Sequence, residues 1–415
     1  MRHKIVVIVV LVVVVSIGLI AIVSPKASQA AVEFSDKQGS ALDRVPKFQQ
    51  RLEKDGFTLS EGEFTFVDAV EECCKGNLKD TLGNNPWPST YLVAKDMTPD
   101  DYDKYAKTRV PWIWRLREDE AIVLIGQTPP KAAYFSYGTF VAFLPLRLQK
   151  VATPVGDGFN NLTIKTNGRD PFNRPIVYII TGHRETERRI RKAALAAGYP
   201  ASIINVETVS PAIAPLGAGD GGSQLFLLHR VTIAEDETAM LDYIMNPPYR
   251  IFRVTPNPLG EMPPQREPQL DPDPQPAPVL RVRGTGHTEM DLYPALKRLR
   301  DAILIEHDPK PNQVLDTHVF WQGRQFAEKP YVGLQRHLDV LGATRDTNYL
   351  ATYPYFMLRD GEDEFVIVYG VNHQATGKAT YASFSAYADP DRLFGLETTY
   401  SPDFDGTGKP GDSAR

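Results

Sequence analysis

Residues Ile5–Val23 form an uncharged run of 19 residues in which only Ser16 and Gly18 interrupt the strongly apolar side chains. A helix of about 20 apolar residues spans the hydrocarbon layer of a bilayer. Arg2 and Lys4 precede the run, and Ser28-Gln29-Ala30 follows it as a small-x-small site. A basic lead, an apolar centre and small residues at a cut site are the pattern of a secretory signal, here with cleavage after Ala30. The length, however, is long for a cleaved signal and about right for an uncleaved anchor. In both cases the basic flank stays inside and the body is delivered to the outer side. Residues 1–30 are therefore read as a signal peptide or membrane anchor. The expected localisation is extracytoplasmic: secreted, periplasmic, or anchored facing outside. Membrane contact is expected only through this segment, if it is uncleaved.

The body that follows is long enough for two or three domains with cores of their own. Its charge excludes one class of partner. The chain has 51 acidic against 46 basic residues, and Arg2, Lys4 and Lys26 of the basic set lie in the first thirty positions, which hold no acid. A net acidic body without basic runs lacks the cations that displace counterions from phosphates, so no nucleic-acid partner is expected. The two cysteines, Cys73 and Cys74, are adjacent. Neighbours in sequence do not reach ordinary disulfide geometry, so neither a disulfide framework nor a thiolate zinc site is expected, only structural thiols.

Residues 31–62 read as a polar, loosely packed lead segment. Helices are expected at Phe66–Leu82 and Pro99–Ala106, the second started by Thr98, Pro99 and two acids. Strands are expected at Pro111–Arg117, Ala121–Gly126 and Ala132–Phe140. Residues 151–255 carry the clearest order: strand Ile176–Thr181, helix Arg184–Ala197 closed by Gly198, strand Ala201–Val209, strand Gln224–Ile233, helix Glu235–Asn246, strand Tyr249–Thr255. This is the βαββαβ order of a ferredoxin-like unit, a fold that licenses no function by itself. Residues 256–280 contain nine prolines and read as a stiff linker. Helices follow at Met290–Ile305 and Tyr331–Leu341, and strands at Tyr355–Arg359, Phe365–Gly370 and Ala379–Tyr387. The tail 401–415 reads as disordered.

Two stretches resemble each other. Pro111-Trp112-Ile113, Leu116-Arg117 and Asp119-Glu120 before Ala121–Gly126 match Pro354-Tyr355-Phe356, Leu358-Arg359 and Asp363-Glu364 before Phe365–Gly370. Each is followed by Lys-Ala-x-Tyr-x-Ser: Lys131, Ala132, Tyr134 and Ser136 in one copy, Lys378, Ala379, Tyr381 and Ser383 in the other. The expected fold class is thus α+β, with two related α+β repeat units, 63–150 and 281–400, flanking the ferredoxin-like middle unit. The copies differ in the loop before the lysine. The second is longer and carries Asn372-His373.

Function is expected where the copies diverge, because loops on a rigid scaffold carry it. His373 is the candidate acid–base, since histidine alone titrates near neutrality without perturbation. Tyr134, Ser136, Tyr381 and Ser383 are the candidate polar partners. On a strand Tyr134 and Ser136 share one face and Lys131 takes the other, as Lys378 does in its copy, so Lys131 and Lys378 are secondary candidates. Asn372 is secondary as a neighbour of His373. His183 is secondary because it precedes a helix N-terminus, which favours anions. His229 alternates with Leu225, Leu227 and Val231 and reads as a core histidine. The Gly217–Gly222 stretch precedes a strand and lacks a phosphate-loop ending, so it reads as a connection. Glu306-His307-Asp308 with Asp316 and His318 fits no metal-ligand spacing, and no cofactor or metal is expected.

Two function classes follow. One is an extracytoplasmic enzyme, a metal-independent hydrolase or lyase acting on an unidentified small-molecule or polymer substrate between the repeat units. The other is a non-catalytic, envelope-associated binding or assembly protein, whose Tyr/Ser faces are buried as structure while an apolar patch stands open elsewhere.

Overall fold

A computed structural model of the chain describes residues 6–9, 40–67, 71, 74–76, 89–95, 112–145, 149–257, 271–281, 288–307, 312–319, 334, 336, 340, 342–347, 350–353, 356–358, 364–388 and 394–400. The elements are β1 (Val6–Val9), α1 (Val45–Lys54), β2 (Phe57–Phe66), β3 (Ser89–Lys95), β4 (Ala121–Gln127), β5 (Ala132–Leu144), β6 (Gln149–Pro154), β7 (Phe159–Asn160), β8 (Pro175–Thr181), α2 (Arg184–Ala197), β9 (Ile204–Thr208), β10 (Gln224–Ala234), α3 (Glu237–Met245), β11 (Tyr249–Pro256), α4 (Tyr293–Glu306), β12 (Gln313–Val319), β13 (Leu350–Tyr353), β14 (Phe365–Val368), β15 (Ser383–Ala388) and β16 (Phe394–Tyr400). The class is α+β. No described helix is long and apolar enough to cross a membrane.

Ten strands form the main sheet, in the order β6-β5-β10-β3-β2-β11-β4-β8-β9, with β7 also on β5. β4 and β8 are almost wholly apolar at their buried positions, Thr181 at the end of β8 excepted, because both of their faces are covered. Ala121, Val123, Ile125, Val177 and Ile179 face α1 and α2. Ile122, Leu124, Ile176, Tyr178 and Ile180 face the other way, onto Phe135, Tyr137 and Val141 of β5 and Leu225, Leu227 and Val231 of β10. The sheet therefore curls on itself around a shared interior. The curl brings β5 against β9 and β8: the Thr139 amide donates to the Glu207 carboxylate of β9 at 2.9 Å, and the Tyr137 ring lies 5.8 Å from that of Tyr178 on β8.

Residues 176–255 do run strand, helix, strand, strand, helix, strand, but they do not close a ferredoxin-like sheet among themselves. β8 and β9 are parallel neighbours joined through α2. β4 lies between β8 and β11, and β10 pairs with β3 and β5. A strand apolar on both faces takes a central slot, and β4 fills the one beside β8. The lead segment is likewise built into the core. Val45, Phe48 and Leu52 of α1 are fully buried, as is Phe57. Its mean polarity concealed three apolar residues at helical spacing.

The Pro-rich stretch is held along the body over its described part. The Arg184 amide donates to the Asp273 carbonyl at 3.0 Å and the Gln275 amide to that of Gly182 at 2.7 Å. Farther on, β1 pairs in parallel with β12 and β14, β12 with β13, and β15 with β16. The strand expected at Tyr355–Arg359 is not one where it is described, over 356–358, and Trp112–Arg117 holds only a bridge from Trp114 to Leu225. Cys74 is an exposed free thiol, where a buried or partly buried structural thiol is expected from the sequence. Pro99–Ala106, Cys73, most of Phe66–Leu82 and of Tyr331–Leu341, and the tail lie outside the described residues.

Candidate functional site

His373 sits in a loop that folds on its own polar groups. Asn372 Oδ1 accepts from the amides of Gln374 and Ala375, both at 3.1 Å. This is a local Asx turn, so Asn372 shapes the loop and its side chain is committed to it. Gly377, at φ 76°, turns the chain back, and the Lys378 and Ala379 amides both donate to the His373 carbonyl at 2.9 Å. The imidazole is tucked under this turn and only 8% exposed.

Nδ1 of His373 is hydrogen-bonded to Glu289 Oε2. In a neutral ring that bond places the proton on Nδ1 and the lone pair on Nε2. Nε2 is buried and has no hydrogen-bond partner among the described residues. Lys378 Nζ lies 3.7 Å from the same Glu289 oxygen. Burial alone would raise the Glu289 carboxyl, but the Thr376 hydroxyl, His373 and Lys378 outweigh it and hold it below the ordinary carboxylate range. Glu289 was not singled out in the sequence. It directly precedes the turn into α4, where an acid reads as helix-dipole decoration, yet it makes no side-chain cap there.

Two of the predicted partners, Tyr134 and Tyr381, meet beside this loop. Tyr134 and Tyr381 pack with their ring centroids 5.8 Å apart, in a cluster with Ala379. Ala133 and Ile233 pack against it, and Ile233 adopts φ 56°, a strained conformation for a β-branched residue. Tyr134 donates to Asp346 Oδ2 at 2.9 Å, and Asn160 Nδ2 donates to the same oxygen at 2.8 Å. Burial and then the Asp346 charge push the Tyr134 hydroxyl well above its ordinary value, so it stays protonated. Ser136 shares the outer face of β5 with Tyr134, half-buried and opposite Asn160. Ser383 is buried and starts β15, opposite Tyr400. Tyr381 therefore precedes the described strand, whereas Tyr134 lies within β5. None of the four hydroxyls is bonded to His373 Nε2.

Two secondary candidates lie elsewhere. Lys131 makes a solvent-exposed pair with Glu235 at 2.8 Å. His183 is buried as a helix cap: its Nδ1 accepts from the Thr186 amide at 3.2 Å and its Nε2 bonds the Asp271 carbonyl at 2.9 Å. Both ring nitrogens are used, which leaves none for a ligand. His229 is fully buried between the Ser136 carbonyl and the Tyr243 hydroxyl, 3.0 Å from each, and burial lowers its pKa to about 3. Sequence reasoning passed over Glu207. Its carboxyl is pushed up by burial inside the curl, while Thr139 and Tyr178 donate to it. Among the described residues no three His, Cys, Asp or Glu side chains are grouped to hold a metal.

The chain matches no protein-family model, no curated protein and no solved structure.

Proposed function

We propose that this is an extracytoplasmic enzyme, a metal-independent hydrolase or lyase in which His373 is the general acid–base. The reading rests on one observation. Glu289 fixes Nδ1 and leaves Nε2 buried and without a hydrogen-bond partner among the described residues. A carboxylate that orients an imidazole and steadies the imidazolium is the support a proton-transferring histidine needs. Lys378 and Thr376 tune the same carboxylate. The two Lys-Ala-x-Tyr elements are read as copies of one ancestral element, and the packing of Tyr134 on Tyr381 favours that reading, because matching positions of the two units meet beside the histidine loop.

The test is a panel of ester, amide, glycoside and β-elimination substrates offered to the wild type and to His373→Ala and Glu289→Gln. Loss of proton transfer is expected to cost His373→Ala about 10²–10⁴-fold in kcat/KM. Glu289→Gln is expected to retain part of the rate and shift its pH profile. A substrate turned over equally by the wild type and His373→Ala sinks the reading.

A second reading, a non-catalytic binding or assembly protein, has its own support. Tyr134 and Tyr381 are sealed in packed structure, while Met357 is 89% and Ile305 83% exposed. A full panel without turnover, together with stable capture of an envelope partner, would favour it.

A further inference from the structure

Three arginines lie in the buried strip around β11. Arg117 forms two bonds to Asp119, at 2.7 and 2.8 Å. Arg253 donates to Glu120 at 2.7 Å and to the Arg115 carbonyl at 2.7 Å. Arg115 is different. It is 4% exposed, and among the described residues its Nε has no partner and its Nη atoms have only long contacts: Ala218 O at 3.5 Å and Asp220 Oδ1 at 3.4 Å. The Asp220 side chain is 62% exposed. A buried guanidinium normally has close anionic partners and filled donors.

The residue across from Arg115 is equally incomplete. Trp114 and Leu225 form an antiparallel bridge, each amide bonded to the other's carbonyl at 2.9 and 2.7 Å. Arg115 follows Trp114 and Gln224 precedes Leu225, so the two residues flank this bridge on the same side along the chain. Gln224 is 2% exposed, and both its amide nitrogen and its oxygen lack partners among the described residues. A fork-shaped cation with donors to spare and a buried amide thus flank one backbone bridge.

We infer that Arg115 and Gln224 form a binding site for a small ligand bearing an oxyanion, a carboxylate or a phosphoryl group. The guanidinium takes two oxygens in its fork, and the Gln224 amide donates to one of them. Asp220 occupies the place of the ligand at long range and is displaced when the ligand enters. Its loop is built for that movement. Gly217 and Ser223 anchor the ends, through bonds to the Leu116 and Pro215 carbonyls at 2.8 and 2.7 Å. Between them Gly219 and Gly221 stand in open space, with nothing within 4 Å of where a Cβ would be. This site is independent of His373.

The test titrates the full chain calorimetrically with sodium acetate, succinate and inorganic phosphate at constant ionic strength, chloride serving as the control anion. The wild type is expected to bind one class saturably. Asp220→Asn removes the competing carboxylate without entering the core and is expected to bind that class several-fold more tightly. Gln224→Glu supplies a built-in anion and is expected to abolish binding. Arg115→Gln is expected to abolish it too; if that variant does not fold, the other two decide. Saturation by the carboxylates alone assigns a carboxylate ligand, and by phosphate alone a phosphoryl ligand. No saturable binding to wild type or Asp220→Asn, or binding unchanged in Gln224→Glu, overturns the proposal.

Discussion

Tyr134 and Tyr381, which hold the same place in the two Lys-Ala-x-Tyr-x-Ser elements, meet ring against ring at 5.8 Å with their planes tilted by 48°. The contact joins residues far apart in the chain, and Tyr134 reinforces it by donating to Asp346. Aromatic pairs of this kind contribute about 0.5–1.5 kcal/mol beyond the area they bury. A double-mutant cycle of Tyr134→Ala and Tyr381→Ala, read by urea denaturation, is expected to return a coupling energy in that range. Additive losses would mean that the two rings stabilise separate parts of the molecule. Tyr134→Phe keeps the ring and removes only the hydroxyl with its bonds to Asp346 and Ser136, so a cost of about 1–2 kcal/mol, smaller than that of Tyr134→Ala, is expected.

His229 should make stability depend on pH. The unfolded imidazole titrates near 6.5 and the folded one near 3, because burial between Ser136 and Tyr243 penalises the charged ring. Between those values the unfolded chain holds a proton that the folded chain does not. The stabilisation is complete above about 6.5 and is lost as the pH falls toward 3, up to about 4–5 kcal/mol. The expected result is a steeper loss of unfolding free energy below pH 6.5 in the wild type than in His229→Gln. Parallel curves for the two proteins would refute the assignment.

The helix α2 was legible from the sequence to its last residue, whereas the Glu289–His373 pair was not legible at all. The helix is written locally. His183 caps it, Gly198 at φ 99° ends it, and Ile190, Ala193, Ala194 and Ala197 face the core at helical spacing. The pair joins residues 84 positions apart, and nothing near Glu289 announces where its side chain turns. The same limit explains the sheet. The strands β8 to β11 could each be read from their own residues, but β4 entering between β8 and β11 is a long-range pairing. α1 failed for the opposite reason: Val45, Phe48 and Leu52 were local signals diluted by polar neighbours.

His183 ties two structures at once, so its loss should be felt in both. Its Nδ1 caps α2 and its Nε2 holds the Asp271 carbonyl of the Pro-rich strap. His183→Ala is expected to cost about 0.5–2 kcal/mol for the cap. It should also speed hydrogen exchange at the Gln275 amide, which bonds Gly182 O next to the lost ring. Faster exchange confined to α2, with Gln275 unchanged, would show that the strap holds without the histidine.

Glu120 and Arg253 are both fully buried. Glu120 accepts from Arg253 Nη1 at 2.7 Å, from the Thr255 hydroxyl at 2.6 Å and from the Arg117 amide at 2.9 Å. Burial by itself would raise the carboxyl, yet Arg253 first and then Thr255 and Arg117 outweigh it and keep it below the usual range. Two dry charges that satisfy each other add little net stability, but one left alone is costly. Glu120→Gln strands the Arg253 cation and is expected to lose about 3–5 kcal/mol in urea denaturation. Glu120→Gln with Arg253→Met removes both charges at similar volume and should recover most of that loss. A double variant as unstable as the single one would place the cost in the bonds to Thr255 and Arg117, and the ion pair would not be the element that holds β11 to the turn before β4.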